Sequence, residues 1–202
     1  MPEIIDVYKT IASPSKGIFK DKGSKFLAFA FPVDNEQEIK QHIESKKKEY
    51  FDARHHCYAY AIGVNRQQQR SFDDGEPAGT AGKPIFNQII STNLTNILIV
   101  VVRYFGGTLL GKSGLIQAYK MATIDAIANS RVIEKTENTT IGLTFSYSQL
   151  NEVLKILRMD GVVLKNQQFD NTCIIEADVR ISLEKVLVSK LAKLEDIKIE
   201  QS

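Results

Sequence analysis

The chain has 202 residues, of which 43% are hydrophobic and 25% charged, and its formal net charge at pH 7 is +2. These fractions exclude global disorder, the length corresponds to one large domain or two small ones, and no apolar run approaches the ~18 residues of a membrane span. Two distant cysteines, Cys57 and Cys173, exclude a disulfide scaffold, and with an N-terminus that has no secretory pattern they predict a reducing, cytoplasmic environment.

Turn-forming residues are concentrated in the first two thirds of the chain. All five prolines lie at or before Pro84, and ten of the twelve glycines lie at or before Gly114. This region predicts α+β structure with many special turns. Its predicted strands span 8–11, 18–22, 24–31, 56–64 and 97–104, the last being a buried central strand, and its predicted helices span 35–50, a segment beginning near residue 84, and 115–129.

The last third alternates regular elements. A strand is predicted over 139–147, then a helix capped by Ser148 and closed at Gly161, then a strand pair (162–169 and 172–179) joined by an Asp170–Asn171 turn. A helix over 183–194 capped by Ser182 and a strand over 197–200 follow. The order βαββαβ is the ferredoxin-like split motif. The charged stretch 134–138 is the predicted linker, so we expect two domains, 1–134 and 135–202.

The segment 73–84 combines carboxylates with glycines. Asp73, Asp74 and Glu76 provide oxygen ligands of the kind that Mg²⁺ or Ca²⁺ prefers, although the spacing is not that of an EF-hand. Alternatively, backbone N–H groups just before a helix would form an anion-binding nest. Those groups belong to Gly79, Thr80, Ala81 and Gly82. A third interpretation is structural: the acids cap turns and the glycines allow positive φ. The sequence leaves these three interpretations open.

Residues 106–113 match the phosphate-binding pattern G-x-x-x-x-G-K-S, with Lys112 and Ser113 at its end. The pattern also follows an apolar strand and precedes a helix. However, the rest of the chain predicts a βαββαβ unit, not further parallel strand–helix units. We therefore interpret the match as accidental and expect no nucleotide binding.

Basic residues stand in an acid-free stretch. Between Glu76 and Asp125 the sequence has no acid but contains cations interleaved with aromatic residues. They are Lys83, Arg103, Lys112 and Lys120, with Tyr104, Phe105 and Tyr119. Such a combination can hold a phosphate backbone and stack bases. The alternative is that Tyr104 and Phe105 belong to the core and the lysines are ordinary solvated surface.

The run Arg54–His55–His56–Cys57 contains the residue types of Cys–His nucleophilic catalysis. Neighbouring residues on a strand point to opposite faces, so His56 and Cys57 do not face each other, and no acid that could orient His55 is identifiable. The histidines, with the distant His42, are also a weak zinc pattern. We expect Cys57 to be a small buried hydrophobic residue.

Three segments, 52–60, 73–84 and 101–119, occur in the order and with the motifs of the YigZ/Impact family, and the chain closely resembles it over residues 1 to about 130. The resemblance implies a first domain with the fold of the second domain of ribosomal protein S-five. It implies a ferredoxin-like second domain similar to those near the C-terminal end of elongation factor G. In eukaryotic members it implies binding to a ribosome-associated activator of the amino-acid-starvation kinase. The family usually has Thr-Gly where this chain has Lys112–Ser113, which also argues against a phosphate-binding loop.

The sequence therefore predicts a two-domain α+β protein with no catalytic apparatus, cofactor, metal or membrane association. Loops 73–84 and 103–114 are expected to form a groove that binds RNA, the ribosome or a translation-associated protein. Alternatives are a protein-binding regulator similar to eukaryotic Impact and an unrecognised enzyme; the oligomeric state stays open. The expected groove residues are Arg54, His55, Asp73, Asp74, Glu76, Gly79, Thr80, Gly82, Lys83, Arg103, Tyr104, Gly106, Gly107 and Lys112.

In this groove we expect Lys83, Arg103 and Lys112 to supply positive charge. The glycines at 79, 82, 106 and 107 are expected to let the backbone approach a ligand closely. The acids are expected to orient Arg54 or Arg103 and to cap turns, not to bind phosphate.

Overall fold

The computed structural model describes residues 5–201. Its contacts divide the chain into two compact units: Tyr8–Lys135 forms one, and Thr136–Ser202 together with Met1–Val7 forms the other. Independent folding of domains separated near residue 135 stays a prediction. Among the described residues, no helix is both long and apolar enough to cross a membrane.

The first unit is built on a five-stranded antiparallel sheet. Its strand elements, in chain order, are β1 (Val7–Ile11), β2 (Ser15–Asp21), β3 (Ser24–Pro32), β4 (His55–Ile62), β5 (Gln68–Phe72), β6 (Ile97–Tyr104) and β7 (Val132–Thr136). The main sheet has the order β2-β3-β6-β4-β5, and β1 pairs with β7 in a separate two-stranded sheet. Residues 97–102 of the central strand β6 are fully buried because all of their side chains are apolar, and this burial confirms what the sequence predicts.

Helices cover both faces of this sheet. They are α1 (Glu36–Glu49), α2 (Gly82–Ser91) and α3 (Gly111–Ala128). The side chain of Asn35 caps α1 by accepting the backbone N–H of Glu38 at 2.9 Å. Ile39 of α1 joins the hydrophobic cluster on one face of the sheet, whereas α2 and α3 pack on the cluster of the other face. The motif segments therefore meet on the face that α2 and α3 cover.

The second unit has the predicted ferredoxin-like topology. Its elements are β8 (Asn138–Ser146), a 3₁₀ turn (Tyr147–Gln149), α4 (Leu150–Leu157), β9 (Val162–Phe169), β10 (Thr172–Arg180), α5 (Ile181–Leu191) and β11 (Lys198–Gln201). The strand order is β11-β8-β10-β9, antiparallel throughout. Alternate residues of β10 are buried: Cys173, Ile175, Ala177 and Val179. This alternation, visible in the sequence, buries one face of the sheet.

Several local predictions were wrong. Strand β5 was missed because Gln68–Phe72 is entirely exposed and lacks an apolar period. The predicted linker 134–138 contains the end of β7, Glu137 and the first residue of β8, and the boundary between the two units, Lys135 to Thr136, lies within it, so the linker stays a prediction. Neither Ser148 nor Ser182 caps a helix with its side chain. The carboxylate of Asp6, 176 residues away in sequence, accepts the N–H of Ser182 at 3.3 Å and so caps α5.

Candidate functional site

A chain of buried polar groups lies beneath the motif segment 73–84. Glu76 Oε1 accepts hydrogen bonds from Arg103 Nη1 at 2.6 Å and from the Tyr119 hydroxyl at 2.9 Å. The Tyr119 oxygen also lies 3.3 Å from Cys57 Sγ. All four residues are buried, with Glu76 8% and Arg103 6% exposed. The family motif thus ties β4, the loop, β6 and α3 together through one polar network.

The predicted nest at residues 79–82 exists, but the chain itself fills it. The Asp73 carboxylate accepts the backbone N–H groups of Gly79 at 2.8 Å, Ala81 at 3.0 Å and Gly82 at 2.8 Å. Thr80, which is 2% exposed, instead bonds the Pro77 carbonyl through its hydroxyl at 2.7 Å. The structural interpretation of Asp73 is therefore confirmed, and the nest has no free donor set for an external anion.

Asp74 binds the start of β4. Its carboxylate accepts the His56 backbone N–H at 2.7 Å, and its carbonyl lies 2.8 Å from His55 Nδ1. Because a carbonyl oxygen can only accept, Nδ1 of His55 carries the proton. Asp74 and Gly75 both have positive φ, 44° and 85°, and this turn points neighbouring carboxylates in different directions.

The three acids consequently serve three separate partners, and the arrangement does not fit the hard-cation alternative. Within residues 5–201, no group of three or more His, Cys, Asp or Glu side chains could hold a metal ion. Glu76 does orient Arg103, as expected for one of the acids. Arg54, by contrast, is exposed and has no ion pair with these carboxylates in the described part of the chain.

Arg103 connects the two motif loops. Its guanidinium carbon lies 5.4 Å from the ring centroid of Phe26 and 5.6 Å from that of Phe105. Its Nε finds no hydrogen-bond acceptor among residues 5–201. The predicted proximity of loops 73–84 and 103–114 is thus present in the structure, through the Arg103–Glu76 pair. The buried guanidinium is not available as a surface charge, contrary to the expectation for Arg103.

Two of the motif glycines serve internal packing. A Cβ on Gly106 would lie 1.9 Å from the carbonyl carbon of Gly23, and one on Gly82 would lie 2.5 Å from the Phe72 nitrogen. The expectation that these two positions admit a ligand is therefore corrected, because each already contacts another backbone segment. Gly79 and Gly107 have φ of 76° and 86°, and no described atom lies within 4 Å of a Cβ there.

The surface above this network carries cations and apolar groups. Lys83 is the second residue of α2, Lys112 is the second residue of α3, and both are exposed, as is Lys120. Phe105 is 53% and Leu109 82% exposed. We interpret residues 105–112 together with Lys83 as the motif face. These exposed groups, not the buried acids, are what an external partner can reach.

Tyrosines of the motif have structural partners. The Tyr104 hydroxyl donates to Asp52 Oδ1 at 2.7 Å, and this bond raises the pKa of Tyr104 to about 12. Tyr119 is fully buried and packs edge-on against Phe26 with centroids 5.1 Å apart, so it belongs to the core. The helical spacing of Leu115, Ala118 and Ala122 around Tyr119 was the signal for that placement.

Nucleophilic and phosphate-binding chemistry do not fit the site. Burial raises the pKa of the Cys57 thiol and of the Tyr119 hydroxyl, so both stay protonated near neutral pH. Cys57 is fully buried, as predicted. The strands beside β6 are antiparallel to it, whereas a phosphate-binding loop sits on a parallel sheet. The G-x-x-x-x-G-K-S match is therefore limited to residues 106–113 and is not accompanied by the parallel sheet of a phosphate-binding fold.

Together these features define a two-unit α+β protein whose motif residues form a buried polar network beneath an exposed loop surface. The family model described as the Impact N-terminal domain matches residues 22–127. The chain is 38% identical over 158 residues to "IMPACT family member YigZ" of Escherichia coli (strain K12), covering 77% of this chain and 78% of that protein. The chain belongs to the IMPACT family.

Two further comparisons show how much of this chain resembles a mammalian relative and a solved structure. "Protein IMPACT" of Oryctolagus cuniculus is 36% identical over 96 residues, which cover 45% of this chain and 30% of that protein. A solved structure described as "Crystal structure of an hypothetical protein" has a TM-score of 0.72 at 30% identity and covers 97% of each chain. The likeness to the mammalian protein is thus limited to part of both chains.

Proposed function

We propose that this chain is a non-catalytic RNA- or ribosome-binding protein with a translation-associated regulatory role, and that it binds through the motif face. The observation that supports this proposal most directly is the chemistry of that face. Exposed lysines and an exposed phenyl ring lie in a stretch without acids from residue 77 to residue 124. Cations neutralise phosphates and rings stack on bases, and together they form a sequence-tolerant nucleic-acid surface.

The fold presents these groups in a defined arrangement. Arg103, held by Glu76, has its guanidinium carbon 5.6 Å from the centroid of the Phe105 ring, and Phe105 is 53% exposed to solvent. Lys112 stands in the first turn of α3, which contains no acid, so it adds to the positive end of the helix dipole. Gly107 lies between them with its backbone unobstructed. The ring, the open backbone and the cation therefore follow one another over a short distance along the loop.

The translation-associated role rests on the family. The resemblance over 52–60, 73–84 and 101–119 implies relatives that act on translation, and "Protein IMPACT" of Oryctolagus cuniculus is 36% identical to this chain over 96 residues. We extend the type of partner to this chain but not the identity of the eukaryotic partner.

A second candidate function is binding of a translation-associated protein at the same face. It is favoured by Leu109, which at 82% exposure is among the most exposed large apolar side chains of the described residues, and by the nearby Phe105. Neighbouring apolar side chains on a loop are typical of protein-binding surfaces. This binding would depend little on salt, whereas RNA binding would depend on it strongly.

The test compares binding of a labelled single-stranded RNA of mixed sequence between about 50 and 200 mM salt. We expect wild type to bind at the lowest salt and Lys112→Ala to bind more weakly. Each phosphate contact contributes about −0.7 to the slope of log affinity against log salt, so the variant's slope should be smaller by somewhat less than one.

Lys40→Ala is the matched control. Lys40 is an exposed lysine of α1, on the opposite face of the sheet, and its removal should leave the slope unchanged. Absence of RNA binding by wild type at the lowest salt, or equal slopes for all three proteins, would reject the RNA proposal. Retention of one protein partner that is insensitive to salt and lost in Leu109→Ser would then support the second candidate.

A further inference from the structure

One edge of the five-stranded sheet is open. Strand β5 forms that edge, and all five of its residues are exposed. At the opposite edge, α3 closes β2: Asp125 accepts the Ile18 N–H at 2.8 Å, and Asn129 donates to the Lys16 carbonyl at 3.0 Å. Strand β5 is approached differently: Gly82 of α2 packs against the backbone of its last residue, Phe72, and residues 68–71 are exposed. Because alternate residues of an edge strand turn N–H and C=O outward, β5 presents unpaired backbone groups.

A groove runs along this edge. It has a volume of about 180 Å³ and is lined by Gln69, Arg70, Ser71 and Phe86. Gly82 packs on Phe72 at the end of β5, whereas Phe86, one turn further along α2, lies beside residues 69–71. Helix α2 therefore passes β5 in the opposite direction and forms the second wall. A strand edge beside a helix is the geometry in which other proteins bind an extended peptide by adding a strand.

The register of β5 determines which side chains would meet an added strand. Arg70 pairs with Tyr60 and Phe72 with Tyr58, on the sheet face that α1 covers. Gln69 and Ser71 pair with alanines whose side chains lie on the α2 and α3 face. An added strand would therefore alternate between residues that meet Arg70 and residues that meet Phe86.

The charges of β5 and α2 indicate what kind of strand can bind at this edge. Strand β5 and helix α2 contain no acid, and their charged residues are the exposed Arg70 and Lys83. A second copy paired antiparallel about the centre of β5 would place Arg70 against Arg70, which is unfavourable. We propose that the β5 edge binds an extended segment of a partner protein in which acidic residues alternate with apolar ones. The five residues of β5 would pair with about 17 Å of such a segment.

This proposal lies beyond the proposed function and does not depend on it, because it concerns a different edge and does not use Lys112. The probe is a fluorescent seven-residue peptide, acetyl-Glu-Val-Glu-Val-Glu-Val-Glu-amide, whose glutamates lie on one face and valines on the other when it is extended. Binding is measured by fluorescence anisotropy, and the site by amide chemical shifts and hydrogen exchange of the full chain.

We expect saturable binding, shifts confined to β5 and α2, and at least tenfold slower exchange of β5 amides. Arg70→Glu should weaken binding at least tenfold, whereas Lys20→Glu, the same charge change on the closed β2 edge, should leave it within twofold. A peptide with lysine in place of glutamate should bind wild type at least tenfold more weakly.

Three results would overturn the proposal. The first is binding that Arg70→Glu and Lys20→Glu weaken equally, which would indicate a general charge effect. The second is a shift pattern away from β5, or no binding at all. The third is a concentration-dependent dimer whose β5 amides are protected without peptide, which would make a second copy the occupant. Loss of RNA binding in Lys112→Ala would leave all of these measurements unchanged.

Discussion

Replacing Glu76 by alanine tests whether the buried network holds the motif face together. Glu76 accepts from both Arg103 and Tyr119, and the side chains of the ion pair are only 3% and 7% exposed. The alanine would leave a buried guanidinium whose Nε already lacks an acceptor in the described structure. Removing one partner of a buried ion pair costs about 3–5 kcal/mol, because the remaining charge stays desolvated.

The assay is amide hydrogen exchange by mass spectrometry on the full chain, with peptides from β6 and α3 read separately. This choice avoids treating two compact units as one two-state transition. We expect the opening free energy of β6 and α3 to fall by about 3–5 kcal/mol in Glu76→Ala. Glu76→Gln keeps an acceptor oxygen and should lose about 1–3 kcal/mol.

Glu49→Ala is the matched control, because it removes a carboxylate that is 45% exposed from its pair with Lys46 in α1 and should cost less than about 1 kcal/mol. The double change Glu76→Leu with Arg103→Met should recover a large part of the loss, because it removes both charges. A Glu76→Ala cost equal to that of Glu49→Ala would refute the reasoning that the pair is a buried structural unit.

Three further substitutions test other parts of the fold. Gly106→Ala should cost about 1–3 kcal/mol of stability, because the new Cβ would meet the Gly23–Ser24 backbone. Gly107→Ala should cost about 1 kcal/mol, from its positive φ alone. Both losses are measured as a fall in Tm, and equal losses would contradict the close-packing role of Gly106. Bonds from Arg180 lower the pKa of Asp6 to about 2 from 3.8, so this carboxylate stabilises the fold above about pH 4 and loses its effect as the pH falls towards 2. In urea titrations, Asp6→Asn should therefore be about 1–2 kcal/mol less stable than wild type at pH 7, and the two should converge by pH 2; a constant gap would contradict this assignment.

The strongly periodic elements of the chain could be predicted from the sequence. The apolar run at 97–102 indicates a strand buried on both faces, and the alternation in 172–179 indicates a sheet with one buried face. In both cases the physical cause is local: the spacing of apolar side chains decides which surface leaves water. The polar strand β5 carries no such signal, since its pairing with β4 is set by backbone hydrogen bonds that any exposed sequence can make.

The roles of the motif acids were decided only by the tertiary structure. Three carboxylates stand within four residues, and composition alone permits a metal site, a nest or turn caps. The left-handed turn at Asp74 and Gly75 rotates them apart, so that Asp73 caps α2 and Glu76 reaches Arg103, 27 residues away in sequence. The G-x-x-x-x-G-K-S match also could not be interpreted from sequence alone. Whether it binds phosphate depends on the direction of the strands beside β6, and those strands are distant in sequence. The sequence by itself determined which side chains must be buried, because burial follows local periodicity. Only long-range packing decided which polar groups pair with each other, because a hydrogen bond requires a particular distance and direction.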